Sequence, residues 1–252
     1  MRKINDSGLR KRFKQQSHIT QAELYRYFRE KEPGLKATTL RWRIYRLKKR
    51  NILLPVKRGV YSLNKKSVFR PTITKKMKRL AWKYNADFSP SLRCIIWTTE
   101  WLHQFMVQQP NSHLVIIETE KDSIDSLFYH IQDEFKNTYI NPDKDNVRDY
   151  VLRQKEAIII KPLISRSPTI LFESEVETAS LEKMLIDIFC DDHLFISYQG
   201  SELENIFSNS WKNYSLNLSA LMNYANRRKR GDALKKFLQR PALIEIHKLI
   251  KG

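Results

Sequence analysis

The spacing of apolar and polar residues near the start of the chain predicts two helices. Thr20 is followed three residues later by Glu23, which is the spacing of a capping box and marks the beginning of a helix over about residues 21–30. Apolar residues then recur at intervals of three and four, which predicts a second helix over about residues 38–50. The stripe that this second helix should bury consists of Leu40, Ile44 and Leu47.

Two short apolar runs follow the second helix and predict a β-hairpin. "ILLPV" and "GVYSL" have the composition of strands, and Lys57, Arg58 and Gly59 form the turn between them. Pro55 should stand on an edge strand or at a bulge, because proline has no N–H group for a sheet hydrogen bond. Two helices and a hairpin in this order predict a winged helix-turn-helix over residues 1–70.

A different pattern begins near residue 92, where apolar runs alternate with helical stretches. "LRCIIW", "HLVIIET", "AIIIKPL" and "PTILFES" have the composition of four strands, and their near-continuous apolar character is typical of strands covered on both faces. The chain beyond Ser180 is helical in pattern. We therefore predict that residues 71–252 form an α/β domain with a mixed or parallel sheet of about four strands and a helical C-terminal part. The whole chain would then be of mixed α+β and α/β class.

Positive charge is concentrated in the first third of the chain. Residues 1–83 contain 26 lysines and arginines against 4 acidic residues, a net charge of +22, whereas residues 84–252 contain 20 against 23, a net charge of −3. This asymmetry is typical of a module that binds a polyanion; nucleic acid is the first candidate and an acidic membrane surface the second. No apolar run approaches the roughly 20 residues that span a bilayer, and two cysteines are too few for a disulfide scaffold, so we expect a cytoplasmic protein.

The face of the second helix opposite its apolar stripe combines cations with aromatic residues. Trp42 and Tyr45 should point away from the core, where they could stack on a nucleic acid or pack against the second domain. Residues at the start of a recognition helix reach base edges, while cations on its rim and on the wing bind phosphates. The predicted DNA-binding residues are Thr38, Thr39, Arg41, Trp42, Tyr45, Arg46, Lys49, Lys57 and Arg58.

Two further groups of cations have more than one interpretation. "TKKMKRLAWKY" predicts a helix that buries Met77, Leu80 and Tyr84, bridges the two domains and could add phosphate contacts. The cations of residues 227–230 either interact with the negative end of a helix that stops at Gly231 or make a second contact with nucleic acid.

The sequence contains no pattern that indicates catalysis. Its six glycines form neither a GxGxxG motif nor a P-loop, and its six histidines lack the spacing of a zinc protease. One class of nuclease site needs an acidic residue two positions before a lysine, but Thr119 precedes Lys121 and Ile159 precedes Lys161 at that spacing. We therefore predict that the chain is not an enzyme and has no catalytic residue, no metal site and no cofactor.

Three stretches together resemble the AbiEi-like family, the antitoxin-type transcriptional regulators of type IV abortive-infection toxin–antitoxin systems. Residues 58–61 match the Arg-Gly-x-Tyr sequence of its wing, residues 182–187 match its Glu-Lys-x-Leu-x-Asp helix, and "LSALMNYANRRKR" is similar to a later helix. The resemblance implies a DNA-binding autorepressor whose C-terminal domain neutralises the action of a nucleotidyltransferase toxin, often without a tight direct complex.

Three hypotheses follow from these features. The first is a DNA-binding transcriptional regulator of the antitoxin type, whose partners are double-stranded DNA and a nucleotidyltransferase toxin, with no membrane contact. The second is a nucleic-acid-processing enzyme, either a nuclease or a nucleotidyl-processing protein, that uses the winged helix to hold its substrate. The third is an RNA-binding or ribosome-associated protein, because phosphate contacts do not distinguish the two polymers.

Overall fold

The fold is a mixed α+β arrangement with two separate groups of buried apolar residues. A computed structural model describes residues 6–16, 18–50, 52–63, 66–88, 92–172 and 176–251, with residues 6, 55–57, 87 and 251 described by their backbone alone. One apolar core ends at Leu63 and the other begins at Phe69. We call residues 6–63 the N-terminal unit and the described residues from 66 onward the larger unit.

The N-terminal unit contains three helices and a small antiparallel sheet. In the sheet, the strand of residues 60–63 lies between the other two. The elements, in chain order, are α1 (Asp6–Arg12), β1 (Ile19–Thr20), α2 (Gln21–Lys31), α3 (Ala37–Lys49), β2 (Leu53–Lys57) and β3 (Val60–Leu63).

Local sequence signals explain most of these elements. The Thr20 hydroxyl accepts a hydrogen bond from the N–H of Glu23, and the Glu23 carboxylate accepts one from the N–H of Thr20, so the predicted capping box is confirmed. Gly59 has a φ of +75°, which a turn between two strands requires and glycine tolerates. The register shifts between Pro55 and Lys57 on an edge strand, as the proline predicts.

The small core of the N-terminal unit is built by all three helices. The apolar stripe predicted for α3 is buried. The sequence patterns did not indicate α1 and β1, which are short, yet Leu9 of α1 and Ile19 of β1 are completely enclosed. The buried residues are Leu9, Phe13, Ile19, Leu24, Tyr27, Phe28, Leu35, Leu40, Ile44, Leu47, Ile52, Leu53 and Leu63.

The larger unit begins with a helix, continues through a mixed sheet and a hairpin, and ends in a group of helices. Its elements are α4 (Lys75–Asp87), β4 (Cys94–Thr98), β5 (His113–Thr119), α5 (Ile124–Ile131), β6 (Thr138–Ile140), α6 (Lys144–Asp149), β7 (Glu156–Pro162), β8 (Thr169–Phe172), β9 (Val176–Ala179), α7 (Leu181–Cys190), α8 (Ser201–Asn213), α9 (Leu218–Arg227), α10 (Gly231–Phe237) and α11 (Ile244–Lys251).

The four-stranded sheet has the order β4-β5-β7-β6, in which β4 is antiparallel to β5 and the other neighbours are parallel. The prediction placed "PTILFES" in this sheet, and that was wrong: residues 169–172 of this segment form β8, which pairs with β9 in a separate hairpin, while residues 173 and 174 lie outside the described residues. The side chains of β8 are only partly covered, and Leu171 is 66% exposed. The short strand β6, which the patterns did not indicate, takes the fourth place.

Two predicted helical features of the larger unit are corrected. The face predicted for α4, with Met77, Leu80 and Tyr84, is buried as expected, and it belongs to the larger core rather than to a contact between the units. Gly231 does not end a helix: α9 ends at Arg227, and Gly231 begins α10. A Cβ atom at Gly231 would lie 1.8 Å from the Oδ1 atom of Asn226, so a larger residue here would require the Asn226 side chain to move.

The first described residues after β3, at the start of the larger unit, are fastened to the end of α8 and to the segment that follows it. The N–H group of Ser215 donates to the carbonyl of Ser67 over 2.8 Å, and Ser67 forms a bridge with Tyr214. Lys66 donates to the carbonyl of Trp211 and lies 4.1 Å from the centre of its ring. Within the described ranges, no helix has the length and apolar character needed to cross a membrane.

Candidate nucleic-acid interface

Helix α3 turns one apolar face inward and leaves its cationic face in solvent. Leu40, Ile44 and Leu47 are buried, as the spacing of a 3.6-residue period requires. Seven of the nine predicted DNA-binding residues lie on α3. Of these, the exposed ones are Thr38, Arg41, Trp42, Tyr45, Arg46 and Lys49, while Thr39 is half-buried.

The two aromatic residues of this face lie outside both apolar cores. Trp42 is 40% exposed and Tyr45 is 59% exposed. The guanidinium of Arg46 lies 4.8 Å from the centre of the Trp42 ring, which holds the indole and the cation together at the surface. Large exposed aromatic rings beside cations provide surfaces on which bases or sugars can stack.

The cations of α3 differ in whether they have an acidic partner. Arg43 forms an ion pair with Glu32 and lies 5.1 Å from the centre of the Phe28 ring, so it fastens α3 to α2. In the part of the chain that the structure describes, Arg41, Arg46 and Lys49 form no ion pair with an acidic side chain. Their charge is therefore available to a polyanion.

The hairpin turn stands close to the start of α2. The carbonyl of Gly59 accepts a hydrogen bond of 2.7 Å from the N–H of Gln21. Arg58, beside this glycine, is exposed. The remaining residue of the predicted set is Lys57, which is the final residue of β2. Its side chain lies outside the described part of the structure.

The surface of the N-terminal unit carries more cations than the predicted set. They escaped the residue-by-residue prediction because they lie on or just after α1, which had no periodic signal, on α2, or at the ends of α3. The excess of positive charge in residues 1–83 was the sequence signal that could have indicated these cations. These additional exposed residues are Arg10, Lys11, Arg12, Lys14, Arg26, Arg29, Lys31, Lys36, Lys48 and Arg50.

Several cations of α4 that were expected to contact phosphates form ion pairs with carboxylates of the chain itself. Lys76 pairs with Glu156, while Arg79 and Lys83 both pair with Glu134. These contacts tie three of the five lysines and arginines of α4 to carboxylates of the larger unit.

A second cluster of charged groups lies deep in the larger unit, where the sheet meets α7 and α9. Glu118 of β5 and Lys161 of β7 are paired neighbours in the sheet register, so their side chains project from the same face. We call this cluster the buried charge network. It consists of Glu118, Lys161, Lys183, Asp187, Asp191, Tyr224 and Arg228.

Lys183 occupies the centre of the buried charge network. Its Nζ atom lies 2.6 and 2.8 Å from the two carboxylate oxygens of Glu118 and 2.6 Å from Oδ2 of Asp187. Glu118 also accepts a hydrogen bond of 3.1 Å from the Nε1–H group of Trp97, which lies beside the network. Burial disfavours a charged ammonium, but the carboxylates of Asp187 and Glu118 outweigh it and raise the pKa of Lys183.

Arg228 links the C-terminal end of α9 to α7. Its guanidinium pairs with Asp187 over 2.6 Å and also with Asp191. Asp191 is paired in turn with Lys161 of the sheet. Two interpretations were given for the cations of residues 227–230, contact with a helix end and contact with nucleic acid. Arg228 has a different role, because it forms ion pairs inside the larger unit.

The composition of the network fits a structural use better than a catalytic one. Three cations face three carboxylates, and Glu118, Lys183 and Asp187 are each at most 1% exposed. The oxygens that could hold a metal ion already bind ammonium and guanidinium groups. Among the residues that the structure describes, no group of three or more histidine, cysteine or acidic side chains could hold a metal.

Comparison with known proteins identifies the family of the chain. The sequence model of a family of unknown function, DUF6577, matches residues 39–243, and the chain therefore belongs to this family. The match includes most of α3 and nearly all of the larger unit. A search of curated proteins found no relative.

Proposed function

We propose that this chain is a DNA-binding transcriptional regulator, with α3 as the helix that enters the major groove. The observation that carries the proposal is the exposed face of α3, where Arg41, Arg46 and Lys49 stand beside Trp42 and Tyr45 and have no acidic partner among the described residues. Such a face is complementary to the phosphates and base edges of a duplex.

The topology of the N-terminal unit supports a winged helix-turn-helix. The order α1-β1-α2-α3-β2-β3, with β1 paired to β3 and β3 to β2, is the order expected of a three-helix module followed by a wing. In such modules the helix before the hairpin reads the major groove. Arg58 at the hairpin turn would then contact the neighbouring backbone.

The residues of the interface would divide the work by position. Thr38, Thr39 and Arg41 stand in the first part of α3, from which side chains reach base edges, and an arginine can bind guanine through two hydrogen bonds. Arg46 and Lys49 lie further along the helix, where they would bind phosphates. Trp42 and Tyr45 would cover the sugars or bases between them.

The resemblance to AbiEi-like regulators supports an antitoxin-type autorepressor that acts in the cytoplasm. In the later motif, Glu182 accepts a hydrogen bond of 2.7 Å from the N–H of Asn217, and Lys183 and Asp187 pair within the buried charge network. Leu185 is completely buried. These motif residues act in packing, so the resemblance argues for a shared architecture, and neutralisation of a nucleotidyltransferase toxin is the functional part of the proposal.

The DNA-binding proposal is tested by fluorescence anisotropy with two labelled duplexes, one taken from upstream of the protein's own reading frame and one of random sequence. Substituting Arg41, Arg46 and Lys49 by Glu should weaken binding about a hundredfold near 0.1 M salt, because three attractions to phosphates become repulsions. Substituting the exposed Lys121, Lys136 and Lys144 of the larger unit by Glu makes the same change in net charge and should leave the affinity within about threefold.

The DNA affinities of the two triple variants must be compared with each other and with that of the wild type. Equal affinities of the α3 variant and the wild type would refute the proposal, and so would equal losses in both variants. A structured RNA competitor distinguishes the RNA-binding hypothesis, since it would then displace the duplex at lower concentrations than unlabelled DNA. For the antitoxin part, coexpression with a nucleotidyltransferase toxin encoded beside the gene should relieve growth arrest, and persistent arrest at normal expression would contradict it.

A further inference from the structure

A large cleft lies where the N-terminal unit meets the helices of the larger unit. One wall is formed by β2 and β3, and the other by α9, the end of α8 and the end of α11. The cleft has a volume of about 660 Å³. Pockets that hold small molecules in proteins commonly measure roughly 300–1,000 Å³, so this cleft is large enough for a ligand of moderate size.

The walls of the cleft are rich in apolar side chains that the two cores leave partly open. The N-terminal unit contributes leucines from its hairpin, and the larger unit contributes residues from α9 and α11. Leu249 is 47% exposed, although it faces a concave surface. The partly exposed aliphatic residues of the lining are Leu54, Leu218, Met222, Leu249 and Ile250. The lining also includes the buried Leu53, Leu63 and Leu216 and the aromatic Trp211 and Tyr214.

The charged residues that line the cleft all have the same sign. Lys48 enters from α3, Lys66 from the segment after β3, and Lys235 from α10, and no aspartate or glutamate is part of the described lining. Lys235 has a partner outside the lining, since its Nζ lies 2.9 Å from Asp232. Lys66 is half-buried and donates to the carbonyl of Trp211, and burial lowers its pKa against the opposing effect of Glu245. An anion near these lysines would meet cations without an acidic competitor in the lining.

We propose that this cleft binds a small amphipathic anion, that is, a molecule with an apolar body and one carboxylate, sulfonate or phosphate group. The apolar body would displace water from the leucines, Met222 and Ile250, which is favourable in proportion to the apolar area covered. The anionic group would lie beside Lys48 and Lys66. A purely apolar ligand would gain nothing from the charge of the lysines. A small inorganic anion would leave the apolar walls in contact with water.

The sign of the charge separates this occupant from the alternatives. A neutral apolar compound would gain from the same walls but not from the lysines. A basic peptide would be repelled by the three cations, and an acidic or neutral one would need a continuous groove rather than a cleft of this volume. The binding proposal does not depend on the proposed function, because it concerns only the walls of the cleft.

The test uses the full-length protein and a matched pair of fluorescent probes. 8-Anilino-1-naphthalenesulfonate has an aromatic body and one sulfonate, and N-phenyl-1-naphthylamine has the same body without the charge. We expect saturable binding of the sulfonate at one site per chain, and about tenfold weaker binding of the neutral probe. Decanoate should displace the sulfonate in competition.

Two variants locate the site. Asn223 lines the cleft from an exposed position on α9, so Asn223→Trp should block it without burying the new ring in a core. Lys48→Glu should weaken binding of the sulfonate about tenfold, because an attraction becomes a repulsion, whereas Lys144→Glu on α6 should have no effect. Thermal unfolding of each variant checks that it is folded.

The outcomes divide clearly. Loss of sulfonate binding in Asn223→Trp, together with weakening in Lys48→Glu but not in Lys144→Glu, supports the proposal. The proposal is overturned by absence of saturable binding, by equal affinity for the charged and the neutral probe, or by unchanged binding in both cleft variants.

Discussion

On the surface of the N-terminal unit, Arg41, Arg46 and Lys49 extend into solvent with no acidic partner among the residues described. In the larger unit, Lys183 and Arg228 belong to the same residue types but are enclosed with carboxylates at hydrogen-bond distance. The difference arises from what each environment demands of a charge. A cation in water needs no partner, whereas a buried one must be paired, because desolvation of an isolated charge costs several kcal/mol.

This contrast explains how the charge of the sequence is divided. The larger unit needs carboxylates inside to match its internal cations, and residues 66–252 contain 27 lysines and arginines against 23 acidic residues, a net charge of +4, whereas residues 1–65 carry +15. The N-terminal unit carries an excess that no internal pairing absorbs. An unmatched surface charge of one sign raises the local concentration of an opposite polyelectrolyte, so the same residue type stabilises one unit and can recruit a ligand to the other.

The largest expected effect is the loss of the ammonium at the centre of the buried charge network. Lys183→Met keeps the length of the side chain but leaves the carboxylates of Glu118 and Asp187 without their central cation. We expect the free energy of unfolding to fall by about 3–5 kcal/mol, as for other buried ion pairs broken from one side. Urea unfolding followed by circular dichroism measures this.

A second substitution sharpens the same test. Adding Glu118→Gln to Lys183→Met removes one of the stranded charges, so part of the lost stability should return. A loss below about 1 kcal/mol in Lys183→Met would contradict the structural use of the network.

The contrast between the units also decides what the sequence could reveal. In the N-terminal unit the capping box at Thr20, the α3 stripe and the turn at Gly59 are signals between residues close in the chain, and each was confirmed. Short elements without such signals, α1 and β1, were missed. Their places are determined by contacts with other parts of the unit rather than by periodicity.

The buried charge network could not be predicted because its members meet only through the tertiary fold. Lys161 was rejected as part of a nuclease motif because Ile159 stands two positions before it, and no pattern in the sequence linked it to Glu118. Their pairing depends on the register of β5 against β7, and their partners come from α7 and α9. A spacing of four residues between Lys183 and Asp187 was the one local signal, and many surface helices carry the same spacing.

A smaller effect is expected at the edge of the network, where pH provides the measurement. Burial disfavours the charged carboxylate of Asp191, but Lys161 and Arg228 outweigh it and hold the pKa of Asp191 below its usual value. A carboxyl whose pKa is lower in the folded state stabilises the fold above its unfolded pKa, and this contribution is lost as the pH falls through the folded value. Asp191→Asn removes the titrating group and should cost about 2 kcal/mol at pH 7.

The pH dependence distinguishes this account from a simple loss of packing. The stability difference between wild type and Asp191→Asn should be greatest at neutral pH and should shrink as the pH is lowered below about 4. Chemical unfolding at pH 7, 5 and 3 provides the comparison. A difference that stays constant over this range would show that the ionised carboxylate is not what stabilises the fold.

The smallest effect on stability is expected when the substitution made at Lys183 is repeated on the surface of α3. Lys49 is exposed, so Lys49→Met should change the free energy of unfolding by less than about 0.5 kcal/mol. The same substitution should weaken DNA binding on operator and random duplexes alike. It should lower the slope of log affinity against log salt by about 0.9, the value for one phosphate contact. If Lys49→Met destabilised the protein as much as Lys183→Met, it would contradict the distinction between buried cations that stabilise the fold and surface cations that bind DNA. An unchanged salt slope would instead remove Lys49 from the interface while leaving the rest of α3 to be tested.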